Sequence, residues 1–197
     1  MSQLKLTADS GGGTVAIKGP ASTTGNGAIE LTVPGTGSST LATTATAGKI
    51  LQVVSTTKTD STSTTTSGSF TDVSGMSVSI TPSSTSSKIF IIISLGSVSS
   101  NAGIAVGFRL LRDSTEIGSA SSGIDRKGFT TIYAGAGTGD EYILSASHSF
   151  LDSPSTTSST TYKLQWRTSG AASYLNKYWN NNENNGSSTI TVMEVAA

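Results

Sequence analysis

Lys88–Leu95, KIFIIISL, is the densest apolar run in a chain otherwise dominated by serine, threonine and glycine. A half-buried strand carries apolar residues only at alternate positions, because successive side chains point to opposite faces of the sheet. Here both parities are apolar. Ile89, Ile91 and Ile93 face one way and Phe90 and Ile92 the other, the pattern of a strand covered on both sides. One face fills the core of a sandwich. The other, with no helical period in the chain to supply a cover, is expected to meet another copy of the same chain. Ser188–Val195 repeats the pattern, with Ile190 and Val192 on one face and Met193 and Val195 on the other. Two such strands fit an oligomer whose inner sheet packs around a symmetry axis.

The remaining pattern is all-β. Short apolar alternations occur at Ile50–Val54, Met76–Ile80, Ile104–Leu111, Thr115–Ile117, Phe129–Tyr133, Tyr142–Leu151, Tyr162–Arg167 and Tyr174–Trp179, separated by Gly, Pro, Asn, Asp and Ser turns. Thr56–Ser69 is low in complexity and expected to be a polar loop or weak edge strand. Eight or so strands of this kind predict a jelly-roll β-sandwich head over residues 48–197. Residues 1–47 differ. Leu4 and Leu6, Val15 and Ile17, and Ile29, Leu31 and Val33 form brief alternating pairs between glycine-rich breaks. Isolated strands this short are marginal in water, so this segment is expected to be an extended N-terminal β-arm that leans on sister chains or a larger particle.

Composition narrows the functional classes. Asp, Glu, Lys and Arg make up 12% of the residues, about half the usual quarter. Serine and threonine fill the gap at about a third, a polar but weakly charged surface suited to an exposed fibre or adhesin. Net charge is +0, which leaves no basic footprint for nucleic acid and none for an anionic membrane. There are no cysteines, hence no disulfide framework and no thiol nucleophile. The N-terminal residues lack the pattern of a signal peptide, so synthesis in the cytoplasm is expected.

No catalytic residue, metal site or cofactor is expected. His148 is the single histidine and shares strand parity with Tyr142, Leu144, Ala146 and Phe150, so it should point inward to the core or an interface. Ser147 and Ser149 lie beside it in sequence, but adjacent strand residues face opposite ways and neither can serve as its nucleophile. Gly135–Glu141 lacks the Lys-Ser/Thr of a phosphate loop and precedes a strand rather than a helix. Asp140 and Glu141 diverge on a strand, which does not suit a glycosidase pair, and Asp113, Asp125 and Asp140 have no calcium-loop spacing. One region suits a ligand. Tyr174, Tyr178, Trp179 and the amides around Asn181 and Asn182 combine ring faces with groups that both donate and accept hydrogen bonds, as a host-glycan rim would.

Phe150–Arg167 (FLDSPSTTSSTTYKLQWR), Tyr174–Lys177 and Ser188–Val195 resemble segments of tail-fibre and other virion structural proteins of bacteriophages, notably marine and cyanobacterial ones. Val15–Ala21, Ile29–Pro34 and the Gly48–Val53 junction resemble the N-terminal parts of such fibres. More remotely, the head is similar to the trimeric jelly roll of complement-globular and tumour-necrosis-factor-like domains. The resemblance implies a non-enzymatic homotrimer in the virion, partnered by major capsid or tail proteins. Its arm would anchor to the particle and its head would act as a capsid decoration or short fibre, or as a receptor-binding tail-fibre tip.

Overall fold

The computed structural model describes residues 49–100, 103–119, 128–134, 143–178 and 186–197. Regular structure there is strand alone: β1 (Ile50–Lys58), β2 (Thr62–Thr64), β3 (Thr71–Ile80), β4 (Lys88–Ser100), β5 (Ile104–Arg112), β6 (Thr115–Ile117), β7 (Thr130–Ala134), β8 (Ile143–Asp152), β9 (Thr160–Thr168), β10 (Ser173–Leu175) and β11 (Ser188–Val195). All pairings are antiparallel. Sheet A runs β1-β11-β4-β8, and sheet B runs β3-β9-β5-β7. First strand therefore pairs with last, second with seventh, third with sixth and fourth with fifth among these eight, which is the jelly-roll order. The short strands β10 and β2 extend sheet A, and β6 extends sheet B.

The core lies between the sheets. Ile89, Ile91, Ile93, Ile190 and Val192 from sheet A are fully buried against Met76, Phe108, Leu110, Tyr162, Leu164 and Trp166 from sheet B. Each such aliphatic side chain contributes about 1.5–3 kcal/mol on burial, so the apolar alternation outweighs the many serine and threonine contacts at the surface. Trp166 tilts on Phe108 with centroids 6.0 Å apart, and Phe108 stacks on Phe129 at 6.5 Å.

The β4 strand is longer than its apolar run suggests and serves two neighbours along one edge. Lys88–Ser94 pairs with β11, whereas Val98–Ser100 pairs with β10. At the change-over the register against β8 shifts between Leu95 and Val98. Gly96 sits there because the backbone of Ser187 comes so close that a Cβ would lie 2.1 Å from its carbonyl oxygen. Asn176 closes the junction from a left-handed backbone, φ 60°. Its N–H donates to Ser97 O at 2.7 Å, and its Nδ2 donates to the carbonyls of Lys58 and Asp60 at 2.9 and 3.2 Å. Its Oδ1 accepts from Ser188 Oγ at 2.6 Å. That left-handed residue ends β10 at Leu175, so the strand expected over Tyr174–Trp179 is only three residues long. Of the segment expected to be a loop or weak edge over Thr56–Ser69, the first residues end β1 and Thr62–Thr64 forms the short edge strand β2.

Candidate interaction surface

The outer faces of the two sheets differ in chemistry. On sheet B the outward residues form a charged network. Asp72 accepts from Lys163 and Gln165, and Arg109 donates to Gln165 and Glu116. The Arg109 guanidinium also lies over the Phe70 ring at 4.5 Å. On sheet A the outward residues of the four long strands are apolar or hydroxylic, and among the described ones only Lys88 is charged.

Register aligns the apolar residues of sheet A into a band. Val53 pairs with Met193, Met193 with Phe90, and Phe90 with Leu151, so the four stand side by side across β1, β11, β4 and β8. Ile50 and Leu51 extend the band at one end of β1, next to Val195, and Ile92 adjoins it on β4. Val53 is 56% exposed, Leu151 51% and Ile92 37%. The next rows are hydroxylic: Ser55, Thr191 and Ser149 flank Ile92, and Ser55 Oγ lies 2.8 Å from Thr191 Oγ1. An exposed apolar band without charge on an otherwise polar molecule is the usual mark of a surface that another molecule covers.

The residues expected from sequence at the core or oligomer contact thus divide. Ile89, Ile91, Ile93, Ile190 and Val192 belong to the sandwich interior, while Phe90, Ile92, Met193 and Val195 lie on the outer face. His148 points inward, as its parity implies, and stacks on Phe129 at 4.4 Å, away from the outer face. Ser147 and Ser149 are exposed on that opposite face, so no serine–histidine pair forms among these three. Of the glycan-rim residues, Tyr174 and Tyr178 are half-buried, and the Lys177 ammonium sits 5.2 Å from the Tyr174 ring centroid. Trp179, Asn181 and Asn182 lie outside the described residues, as do the arm residues Leu4, Leu6, Val15, Ile17, Ile29, Leu31 and Val33. Among the described residues no three His, Cys, Asp or Glu side chains cluster as metal ligands would.

Two buried acids were missed by pattern reading. Asp152 receives Arg112 Nη1 at 2.9 and 3.0 Å and the Tyr162 hydroxyl at 2.7 Å, joining the end of β8 in sheet A to β5 and β9 in sheet B. Burial and this bond to Asp152 push the Tyr162 phenol far above its ordinary range. Glu194 shares the inward parity of Ile190 and Val192, and an acid in that position was the available signal. Burial works against its charge, but the Ser83 hydroxyl at 2.6 Å, Gln52 Nε2 at 2.6 Å, Ser87 and the Ser83 N–H at 2.7 Å more than offset this and hold its pKa at about 2. Its folded pKa lies below the ordinary 4.5, so the stability it contributes is present above that value and lost as pH falls towards 2. Glu194→Gln is therefore expected to lower the melting temperature at pH 7 and to shrink that deficit at pH 3. A deficit of equal size at both pH values would show that the charge is not what the four donors recognise.

No family model matches this sequence, and no curated protein does. Solved structures similar to the chain include one of the infectious bursal disease virus Gt strain, at 16% identity and TM-score 0.34. Another is the crystal structure of the infectious bursal disease virus VP2 subviral particle, at 14% identity and TM-score 0.35. Each alignment covers 74% of this chain and 38% of the other, so the chain spans well under half the length of either. The jelly-roll assignment accordingly rests on the strand order, not on these similarities.

Proposed function

We propose that this chain is a non-enzymatic virion structural protein, a homotrimer that decorates a bacteriophage capsid or forms a short fibre. Copies meet through the outer face of sheet A. The observation that carries the reading is the band Val53–Met193–Phe90–Leu151, which is apolar and free of charge while the outer face of sheet B is a salt-bridged network. A face without charge is complementary to itself: identical copies can approach without like-charge repulsion, and among the described outward residues of the four long strands the one cation, Lys88, sits at the end of its strand. The number three and the virion setting follow from the resemblance of the sequence to phage fibres and trimeric jelly rolls. Residues 1–47 are the particle anchor in this reading, through Leu4, Leu6, Val15, Ile17, Ile29, Leu31 and Val33, and the head projects outward.

Light scattering on the full-length protein tests the assembly. A three-copy mass is expected for the native chain and a one-copy mass with unchanged far-ultraviolet circular dichroism for Phe90→Asp, because a carboxylate in the middle of the band must be desolvated opposite apolar side chains. A native monomer, or a Phe90→Asp protein of undiminished mass, refutes it. A second reading is a receptor-binding fibre tip. It is favoured by the half-exposed Tyr174 and Tyr178 rings beside Lys177 at one end of the sandwich, where a host glycan could stack.

A further inference from the structure

The seam where β8 of sheet A meets β6 and β7 of sheet B is closed by an aromatic stack with a histidine in it. The His148 imidazole lies nearly parallel to Phe129 on one side, 4.4 Å between centroids and 11° between planes, and to Phe150 at 6.5 Å and 11°. Gly118, at the end of β6, backs onto the same ring. Its φ of 64° and the 3.2 Å that would separate a Cβ there from His148 Nε2 leave room for hydrogen only. Among the described residues Nε2 is shielded from solvent and has no hydrogen-bond partner. Ser119 Oγ, the next residue after Gly118, is likewise shielded and unpartnered.

We propose that His148 makes this seam a proton-operated joint, closed while the imidazole is neutral and loosened when it takes a proton. An unpartnered, shielded nitrogen costs a neutral ring one hydrogen bond, which is less than an unpaired buried charge costs an imidazolium. An imidazolium places an N–H donor and half a positive charge at that atom, and among the described residues no carboxylate bonds it there to balance the charge. The charged groups on the surrounding strands are committed elsewhere. Glu116 on β6 bonds Arg109 on the outer face of sheet B, Asp152 at the end of β8 holds Arg112 and Tyr162, and Lys88 on β4 donates to Ser153. Ile93 on β4, paired with His148 across the sheet, is an aliphatic chain that offers no acceptor. Attraction of a charged ring to the Phe129 face works the other way but leaves the donor unmet. Burial depresses the histidine pKa in agreement with this geometry. The sign follows: the unfolded chain takes the proton first, so the seam is at full strength above the ordinary value of 6.5 and weakens as pH falls below it. The joint is independent of the assembly proposed above, since His148 faces inward and the apolar band faces out.

The chain has one histidine, so its imidazole proton resonances need no assignment among competitors. An NMR titration of the full-length protein is expected to give a midpoint below that of an unstructured peptide. Amide exchange within β7 and β8 should accelerate on crossing that midpoint while β1 and β11 stay protected. His148→Gln, which cannot be protonated, should remove the step in exchange. A midpoint at or above that of the peptide overturns the proposal, as does β7–β8 protection that is level across the midpoint. Should the variant not fold, the titration and exchange of the native protein decide alone.

Discussion

Asp152→Ala is expected to cost about 3–5 kcal/mol of unfolding free energy, the range for removing one partner of a buried ion pair. Asp152 is almost fully buried, and it is the common acceptor for a guanidinium from β5 and a phenol from β9. Without it the Tyr162 hydroxyl, on a side chain with no solvent exposure, has lost its acceptor. Arg112 is partly exposed, 28% at the side chain, and also reaches Ser153 O, so water recovers some of its loss. Both sheets lose their shared fastening at this end, so the effect should appear as earlier cooperative unfolding in urea with little change of slope. Asp152→Asn keeps an acceptor for Tyr162 but not the charge, and should fall between the native protein and the alanine variant. A cost below about 1 kcal/mol for the alanine variant would place the pair among ordinary surface salt bridges instead.

Gly96→Ala is expected to be more damaging still, leaving little soluble folded protein. The new methyl would sit 2.1 Å from Ser187 O and 2.8 Å from Ser187 N, both backbone atoms with no rotamer to move away. Relief requires β11 to separate from β4 where its first residues enter the sheet, which also breaks the Gly96 N–H to Ser188 Oγ bond at 3.1 Å. Effects above about 4 kcal/mol come from a short list of mechanisms, of which an unrelieved backbone clash is one. Gly68→Ala is the control, because a Cβ there meets nothing within 4 Å. It should change stability by no more than about 0.5 kcal/mol. Equal melting temperatures for the two variants would mean that the close approach of Gly96 and Ser187 does not exist in solution.

Sequence pattern anticipated most of the sandwich because its strands obey simple alternation. Met76, Val78 and Ile80 point inward between outward serines, as do Tyr162, Leu164 and Trp166 between Lys163, Gln165 and Arg167. The double-sided character of β4 and β11 was visible for the same reason, and with it the existence of an apolar outer face. Two members of that face, Val53 and Leu151, escaped notice. Each adjoins another apolar residue, Val54 or Phe150, so neither parity stood out, and only strand register shows that both line up with Phe90 and Met193. The Thr-rich segment left loop and edge strand undecided because its side chains offer no apolar contrast, and the structure gives the edge strand β2 there. The short span of β10 was unreadable too, since Asn176 ends it by adopting a left-handed backbone that many asparagines in strands do not. Buried acids were overlooked because partners came from distant segments: Ser83 and Gln52 for Glu194, Arg112 for Asp152.

The central place of β11 in sheet A bears on how the protein is made. It separates β1 from β4, and the hydroxyls of Ser55 and Thr191 that meet across the first of these junctions are 136 residues apart in sequence. A ribosome therefore delivers β1, β4 and β8 well before the strand that joins β1 to the others. Until then the isoleucine-rich edge of β4 is open, and the nascent chain resembles an incomplete sheet with an adhesive side. Closure so dependent on distant pairing is slow compared with the growth of local hairpins. Production in a host should accordingly favour conditions that keep nascent chains apart, such as low temperature or abundant chaperones, over those that merely raise the rate of synthesis.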